Sequence, residues 1–377
     1  MPSSVPMTSP LERARAFCER FGLRVPILLA PMAGACPPAL SIAVAQAGGL
    51  GACGALSMQP QQISAWADEL RQAAGDAFQL NLWIPDPPPQ RDPQREQRAR
   101  DFLSHWGPAV PPEAGDAAPG AGAALPEFAA QCEAFLAAHP RIVSSVMGLY
   151  PPGFTARLRD SGIHWFATVT TVEEARAAAA AGADVIVAQG MEAGGHRGCF
   201  DAAMAERRMV GLFALLPAVV DAVEVPVVAA GGIADARGVA AALVLGASAV
   251  QIGTGLLRCP EAGIHPAWAA ALGRTAPEDT MVTRAFSGRA GRSIATDYTR
   301  AVTDESVVAP YPVQRALSAA MRSAALKGDD LQRMQAWAGQ SASLARAQPA
   351  ATRVRDLWGG AQELLAFTRL HSSSLSR

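Results

Sequence analysis

Val187-Ala-Gln-Gly-Met-Glu-Ala-Gly-Gly-His-Arg-Gly198 is the most informative stretch of the chain. A short apolar run, Val185–Gln189, ends in a turn that holds four glycines and one imidazole, His196. A continuous apolar run of this length reads as a strand buried on both faces. Glycines in the turn allow positive φ and close approach of backbone to a ligand. Seven further runs share this character: 26–30 (PILLA), 50–55 (LGACGA), 78–84 (FQLNLWI), 142–147 (IVSSVM), 165–169 (WFATV), 225–230 (VPVVAA) and 249–253 (AVQIG). Helical, often alanine-rich stretches fill gaps at 38–47, 60–74, 172–181, 213–223 and 236–245. Gly48 and Gly49, Gly75, Gly182 and Gly246 follow four of these stretches, where C-terminal caps belong. Repeated strand–helix units predict an α/β fold, a parallel (β/α)8 TIM barrel.

Two stretches break the rhythm. Residues 86–126 are rich in Pro, Gly, Ala and Asp and read as a mobile insertion between the third and fourth strands. After Gly255 the alternation stops. The expected division is a barrel domain over 13–260 plus 335–377, with a mostly helical cap, or substrate subdomain, over 261–334.

Composition narrows the function. Half of the 377 residues are hydrophobic and 17% are charged, so a large core can form. A net charge of −1 without a basic block disfavours nucleic acid and anionic membrane as partners. No apolar run reaches the ~20 residues of a membrane span. The N-terminus lacks the charged and apolar regions of a signal peptide. Cys18, Cys36, Cys53, Cys132, Cys199 and Cys259 have no zinc or CxxC spacing, so they read as reduced thiols of a cytoplasmic protein without a metal site. Lys327 is the only lysine, which disfavours Schiff-base chemistry.

The strand ends carry the candidate site. Barrels often bind phosphate after the seventh and eighth strands. There the chain has Gly231-Gly232 and Gln251-Ile252-Gly253-Thr254, a cradle of small residues. Ala30-Pro-Met-Ala-Gly34 closes the first strand, with Met32 in its turn. Asn81, Gln189 and Gln251 are amides within or ending apolar runs. Such amides either bond to backbone in the core or meet a flat heterocycle in the barrel mouth. His196 is either a satisfied loop histidine or an acid–base or anion-binding group at the active face. Tyr298, Tyr311 and Lys327 could reach the mouth from the cap, although each reads more readily as structural or surface.

Together APMAG, VAQGMEAGGHRG, AAGGI and QIGTG, in this order, resemble the nitronate monooxygenase family, with an echo at Trp337-Ala-Gly-Gln340. The resemblance spans roughly 26–254. It implies an FMN-binding barrel that oxidises alkyl nitronates, with neutral nitroalkanes as a second option, with O2 to a carbonyl compound and nitrite. It implies FMN contacts from Met32, Asn81, Gln189, Gly194, Gly231, Gly232, Gln251, Ile252, Gly253 and Thr254, and an active-site role for His196. FMN rather than a dinucleotide also fits the absence of a G-x-G-x-x-G turn. The partners implied are a small nitronate or nitroalkane and O2, and a homodimer is one option for assembly. The chain departs from the family in its fourth strand, where Val146 stands at the place of a second histidine. The flavin-dependent, NAD(P)H-using enoyl-acyl-carrier-protein reductases share the EAGGH turn and are the alternative. A flavin-binding protein without turnover is a third reading.

Overall fold

All eight apolar runs pair as parallel strands in the computed structural model, which describes residues 9–115 and 125–372. They begin with β1 (Ile27–Leu29), β2 (Gly51–Gly54), β3 (Phe78–Trp83), β4 (Ile142–Val146), β5 (His164–Val169) and β6 (Val185–Gln189). After a two-residue strand outside the barrel, β7 (Gly195–His196), come β8 (Val227–Ala230) and β9 (Ala249–Ile252). Their order is β1-β9-β8-β6-β5-β4-β3-β2. A parallel bridge from Leu28 to Leu50 brings the two edges together into a barrel. The strands carry Val, Ile, Leu and Ala on both faces, and almost every residue in them is buried. That burial explains why they read as continuous apolar runs.

The barrel helices are α1 (Pro10–Phe21), α2 (Pro38–Gln46), α3 (Pro60–Ala74), α4 (Pro93–Ser104), α5 (Phe128–Ala138), α6 (Pro152–Asp160), α7 (Val172–Ala180), α8 (Leu212–Val220) and α9 (Ala236–Val244). Several start on local signals. Ser9 and Glu12 form a capping box at α1, Thr171 caps α7, and Asp235 accepts from the Arg237 and Gly238 amides at α9. The sequence reading resolved neither α1 nor α4, α5 and α6. Helix α4 is strongly polar and buries only Glu96, Ala99 and Leu103, so its apolar stripe is narrow.

Helix α1 decides which end of the barrel is open. Phe17 and Phe21 pack against Phe166 of β5, with ring centroids 6.2 and 5.0 Å away. They join Leu28, Leu50, Val185 and Val228 in one apolar cluster that fills the barrel. The C-terminal strand ends are left for the cavity.

Residues 261–334 contribute α10 (Pro266–Leu272), α11 (Asp297–Ala301), α12 (Val313–Leu317) and α13 (Ala319–Lys327). They also contribute two strands that were not anticipated, β10 (Thr280–Thr283) and β11 (Gly291–Ile294). Strand β11 pairs antiparallel with both β10 and β7, so His196 lies opposite Gly291. The turn after β6 is thereby stitched to the cap. Residues 86–115 of the expected insertion contain α4, and its Ala99 and Leu103 cluster with Phe286, Tyr298 and Leu317. Residues 116–124 lie outside the described residues. Helix α14 (Ala350–Ser372) returns to pack on α9 and α2. All six cysteines are free and buried. Among the described residues, no helix is long and apolar enough to cross a membrane.

Candidate active site

A cavity of about 820 Å³ opens over the C-terminal strand ends. Met32, Asn81, Gln189, Gly194, His196, Gly231, Gly232, Gln251, Gly253 and Thr254 all line it. Ile252 does not. Its side chain is 1% exposed in the main apolar core, and its carbonyl accepts the Ala30 amide at 2.9 Å. Strand alternation accounts for this: Gln251 and Gly253 face the lumen, and Ile252 faces the helices.

The glycine side of the cavity is backbone. Gly231 and Gly232 have φ of +104° and +69°, which a side chain would strain. A Cβ on Gly253 would stand 3.2 Å from Met32 Sδ. The Gly339 amide donates to Thr254 Oγ1 at 3.0 Å, and the Gln340 amide to the Glu192 carbonyl at 2.9 Å. The WAGQ segment thus closes over the turn after β6. Glu192 accepts the Leu212 amide at 2.9 Å, at the start of α8.

The amides divide. Gln189 accepts the Gly198 amide at 2.8 Å and donates to the His196 carbonyl at 3.2 Å, so it braces the histidine loop from within. Gln251 accepts from Gln79 at 3.3 Å. Asn81 Nδ2 donates to Ser144 Oγ at 3.0 Å, and no partner for its side-chain Oδ1 occurs among the described residues.

The other side is built of side chains. The His196 ring stands between Trp83 and Trp337, 4.7 Å from each ring centroid. Its Nε2 lies 2.8 Å from Ser287 Oγ. Ser287 has one hydroxyl proton and two acceptors for it, this nitrogen and the Arg289 carbonyl at 3.1 Å. No hydrogen bond to Nδ1 occurs among the described residues. Burial, then Arg289, Arg315 and Arg322, lower the His196 pKa to about 3. The ring is partly open to the lumen, but the protein encloses it elsewhere, and both causes favour the neutral form. Arg289 pairs with Asp86. Arg315 donates to Ser57 at 3.2 Å. Arg322 donates to Gln335 at 2.9 Å, and burial followed by Arg315 lowers its pKa to about 10. Neither Arg315 nor Arg322 has a carboxylate partner among the described residues, so this side of the cavity is electropositive.

Val146 lines the cavity where the family resemblance led to a histidine. Tyr311 also lines it. Tyr298 does not: it is fully buried and donates to the Ala285 carbonyl at 2.9 Å. Lys327 is exposed outside the lining. Trp83, Ser287, Arg315, Arg322 and the ring contact of Trp337 were missed. Trp83 had a signal, because it lies two residues after Asn81 on the same strand face. Ser287 had none, being 91 residues from His196 in sequence.

The family model for nitronate monooxygenase matches residues 16–359. The chain belongs to the nitronate monooxygenase family. Members of this family are flavin-dependent oxidoreductases. A nitronate monooxygenase of Paraburkholderia phytofirmans is 38% identical over 349 residues, covering 91% of this chain and 94% of that one. A probable nitronate monooxygenase of Staphylococcus aureus is 33% identical and covers 93% and 98%. Among solved structures, nitroalkane oxidase from Streptomyces ansochromogenes superposes with a TM-score of 0.81 at 36% identity, covering 92% of this chain and 98% of that one. FabK from Thermotoga maritima superposes at 0.73 with 28% identity, covering 94% and 98%. The nitronate monooxygenase fold is thus matched along nearly the whole length of the chain.

Proposed function

We propose that this protein binds FMN and oxidises alkyl nitronates with O2 to carbonyl compounds and nitrite. The observation that carries the reading is the placement of His196 between Trp83 and Trp337, on the side of the cavity that holds Arg315 and Arg322, with glycine backbone on the opposite side. The cavity fits a flavin. Gly231, Gly232, Gly253 and Thr254 would cradle the phosphate with backbone that no Cβ obstructs. Met32 and Asn81 would flank the ring system. Bound flavin supplies an acceptor for an electron from the nitronate, and O2 completes the oxidation. Two nitronates and one O2 balance to two carbonyl compounds and two nitrite ions.

The protein's own part is to hold the anion. His196 is better suited to donate than to act as a base. Taking a proton from a neutral nitroalkane would create an imidazolium beside Arg289, Arg315 and Arg322, which burial and charge both oppose. In the tautomer in which Ser287 donates to Nε2 rather than to the Arg289 carbonyl, Nδ1–H can donate to a nitronate oxygen. Arg315 and Arg322 add positive potential that favours the anion over its neutral conjugate acid. The two indoles, Trp83 and Trp337, fix the ring and exclude water around it.

Aerobic mixing with ethyl nitronate tests this. The expected result is acetaldehyde and nitrite in equal amounts, with FMN released on denaturation. A colourless protein that cannot be reconstituted with FMN contradicts the cofactor. NADH oxidation without any nitrite production would instead favour the NAD(P)H-dependent enoyl reductase reading.

A further inference from the structure

A second cavity of about 230 Å³ adjoins the first and shares Leu56, Trp83, Met147 and Tyr311 with it. We propose that it is a subsite for an unbranched hydrocarbon chain on the carbon that bears the nitro group. The inference rests on the nitronate reading above and adds a substrate class to it.

Two observations support it. First, the side cavity is mainly apolar and held in shape; its polar lining side chains Asp86 and Gln131 are engaged elsewhere, by Arg289 and by the Ala55 and Met58 carbonyls. Ile84 and the prolines Pro85, Pro87 and Pro89 form one wall. Prolines have little φ freedom. Asp86, inside that run, is tied to the fully buried Arg289, so the wall is anchored to the cap. Phe128 stacks at 20° on Tyr150, with centroids 6.2 Å apart, which steadies another wall. Water gains little in such a space, because it needs two to four polar partners.

Second, the route between the cavities starts at the reacting group. Trp83 lies 4.7 Å from the His196 ring and 5.8 Å from the Tyr311 ring, so the three rings run in sequence from one cavity to the other. A nitronate held by His196 can direct its substituent along Trp83. Val146, in place of a family imidazole, leaves the adjoining wall of the main cavity apolar.

Ethyl, butyl, hexyl and octyl nitronates test the subsite by kcat/KM. Each methylene that enters should raise kcat/KM up to about fourfold, and octyl should exceed ethyl by more than about tenfold. Filling the side cavity with Pro89→Trp should bring the octyl-to-ethyl ratio towards one. Leu56→Trp, at the neck, provides a second plug if the first loses its flavin or fold. A flat chain-length series in the wild type overturns the inference, as does a steep series that both plugs leave intact. If no nitronate is turned over, the activity reading fails by itself. Calorimetric binding of the corresponding neutral nitroalkanes then decides the subsite: affinity rising with chain length and flattened by Pro89→Trp supports it, and equal affinities overturn it.

Discussion

On one side of the cavity, Gly231, Gly232 and Gly253 present backbone from consecutive barrel strands. On the other, His196 is surrounded by Trp83, Ser287, Arg315, Arg322 and Trp337, drawn from widely separated segments. The first side needs only local sequence, because small residues at strand ends suffice to leave N–H groups accessible. The second needs the cap folded onto the barrel. The pairing of β7 with β11 is what brings the two parts together. Damage to the glycine side should therefore remove the cofactor, and damage to the other should leave it bound and alter substrate handling.

The largest expected effect is on the glycine side. Gly232→Val should leave the purified protein nearly free of flavin. Its φ of +69° would strain any side chain, so Gly162→Val, also at +69° but with open space around its Cβ, serves as the control. Flavin content from the absorbance spectrum separates the two. Equal flavin loss in both variants would mean that backbone strain alone is responsible, and retained flavin in Gly232→Val would remove this turn from the cradle.

His196→Asn should keep its flavin and lose about ten- to a hundredfold in kcat/KM for ethyl nitronate, the range for one hydrogen bond to a charged group. A loss of about a thousandfold or more, confined to neutral nitroethane, would restore the base role. The same variant tests the electrostatics. The folded-state pKa of about 3 lies below the unfolded value of about 6.5. Above pH 6.5 the ring is neutral in both states and contributes no pH dependence. As pH falls below that, the unfolded chain binds a proton that the folded protein does not, and stability drops by at most ~1.4 kcal/mol per pH unit. Urea unfolding at pH 7 and pH 5 should show a smaller acid loss in His196→Asn than in the wild type. Equal losses would mean that the ring titrates normally in the fold.

The smallest effect belongs to a single guanidinium at the cavity wall. Arg315→Met should raise KM for ethyl nitronate about threefold with little change in kcat, in keeping with ~0.2–1 kcal/mol for a partly solvated ion pair. Added salt should weaken wild-type binding more than that of the variant. A large fall in kcat with unchanged KM would contradict a purely electrostatic contribution.

The barrel itself was legible in the residues. Strands buried on both faces must be apolar throughout, and the turns after β6, β8 and β9 must admit close backbone, so composition alone marked them. His196 and the glycines could be placed at the cavity because they lie in turns after strands, and Asn81 because it is a polar residue inside an apolar strand. Ile252 was the exception, since a contiguous motif was taken whole although alternate strand residues face opposite ways. Helix α4 was hidden by its polar surface, and β10 and β11 by being four-residue strands with polar residues in each. No local pattern could link Ser287 to His196 or indicate that Arg315 and Arg322 would face the same imidazole without carboxylates beside them. Sequence by itself determined the strands, the glycine turns and the imidazole, because each obeys a short-range steric or periodic rule. The tertiary structure decided what surrounds that imidazole and the shape of the space beside it, because burial, charge proximity and cavity walls exist only once distant segments meet.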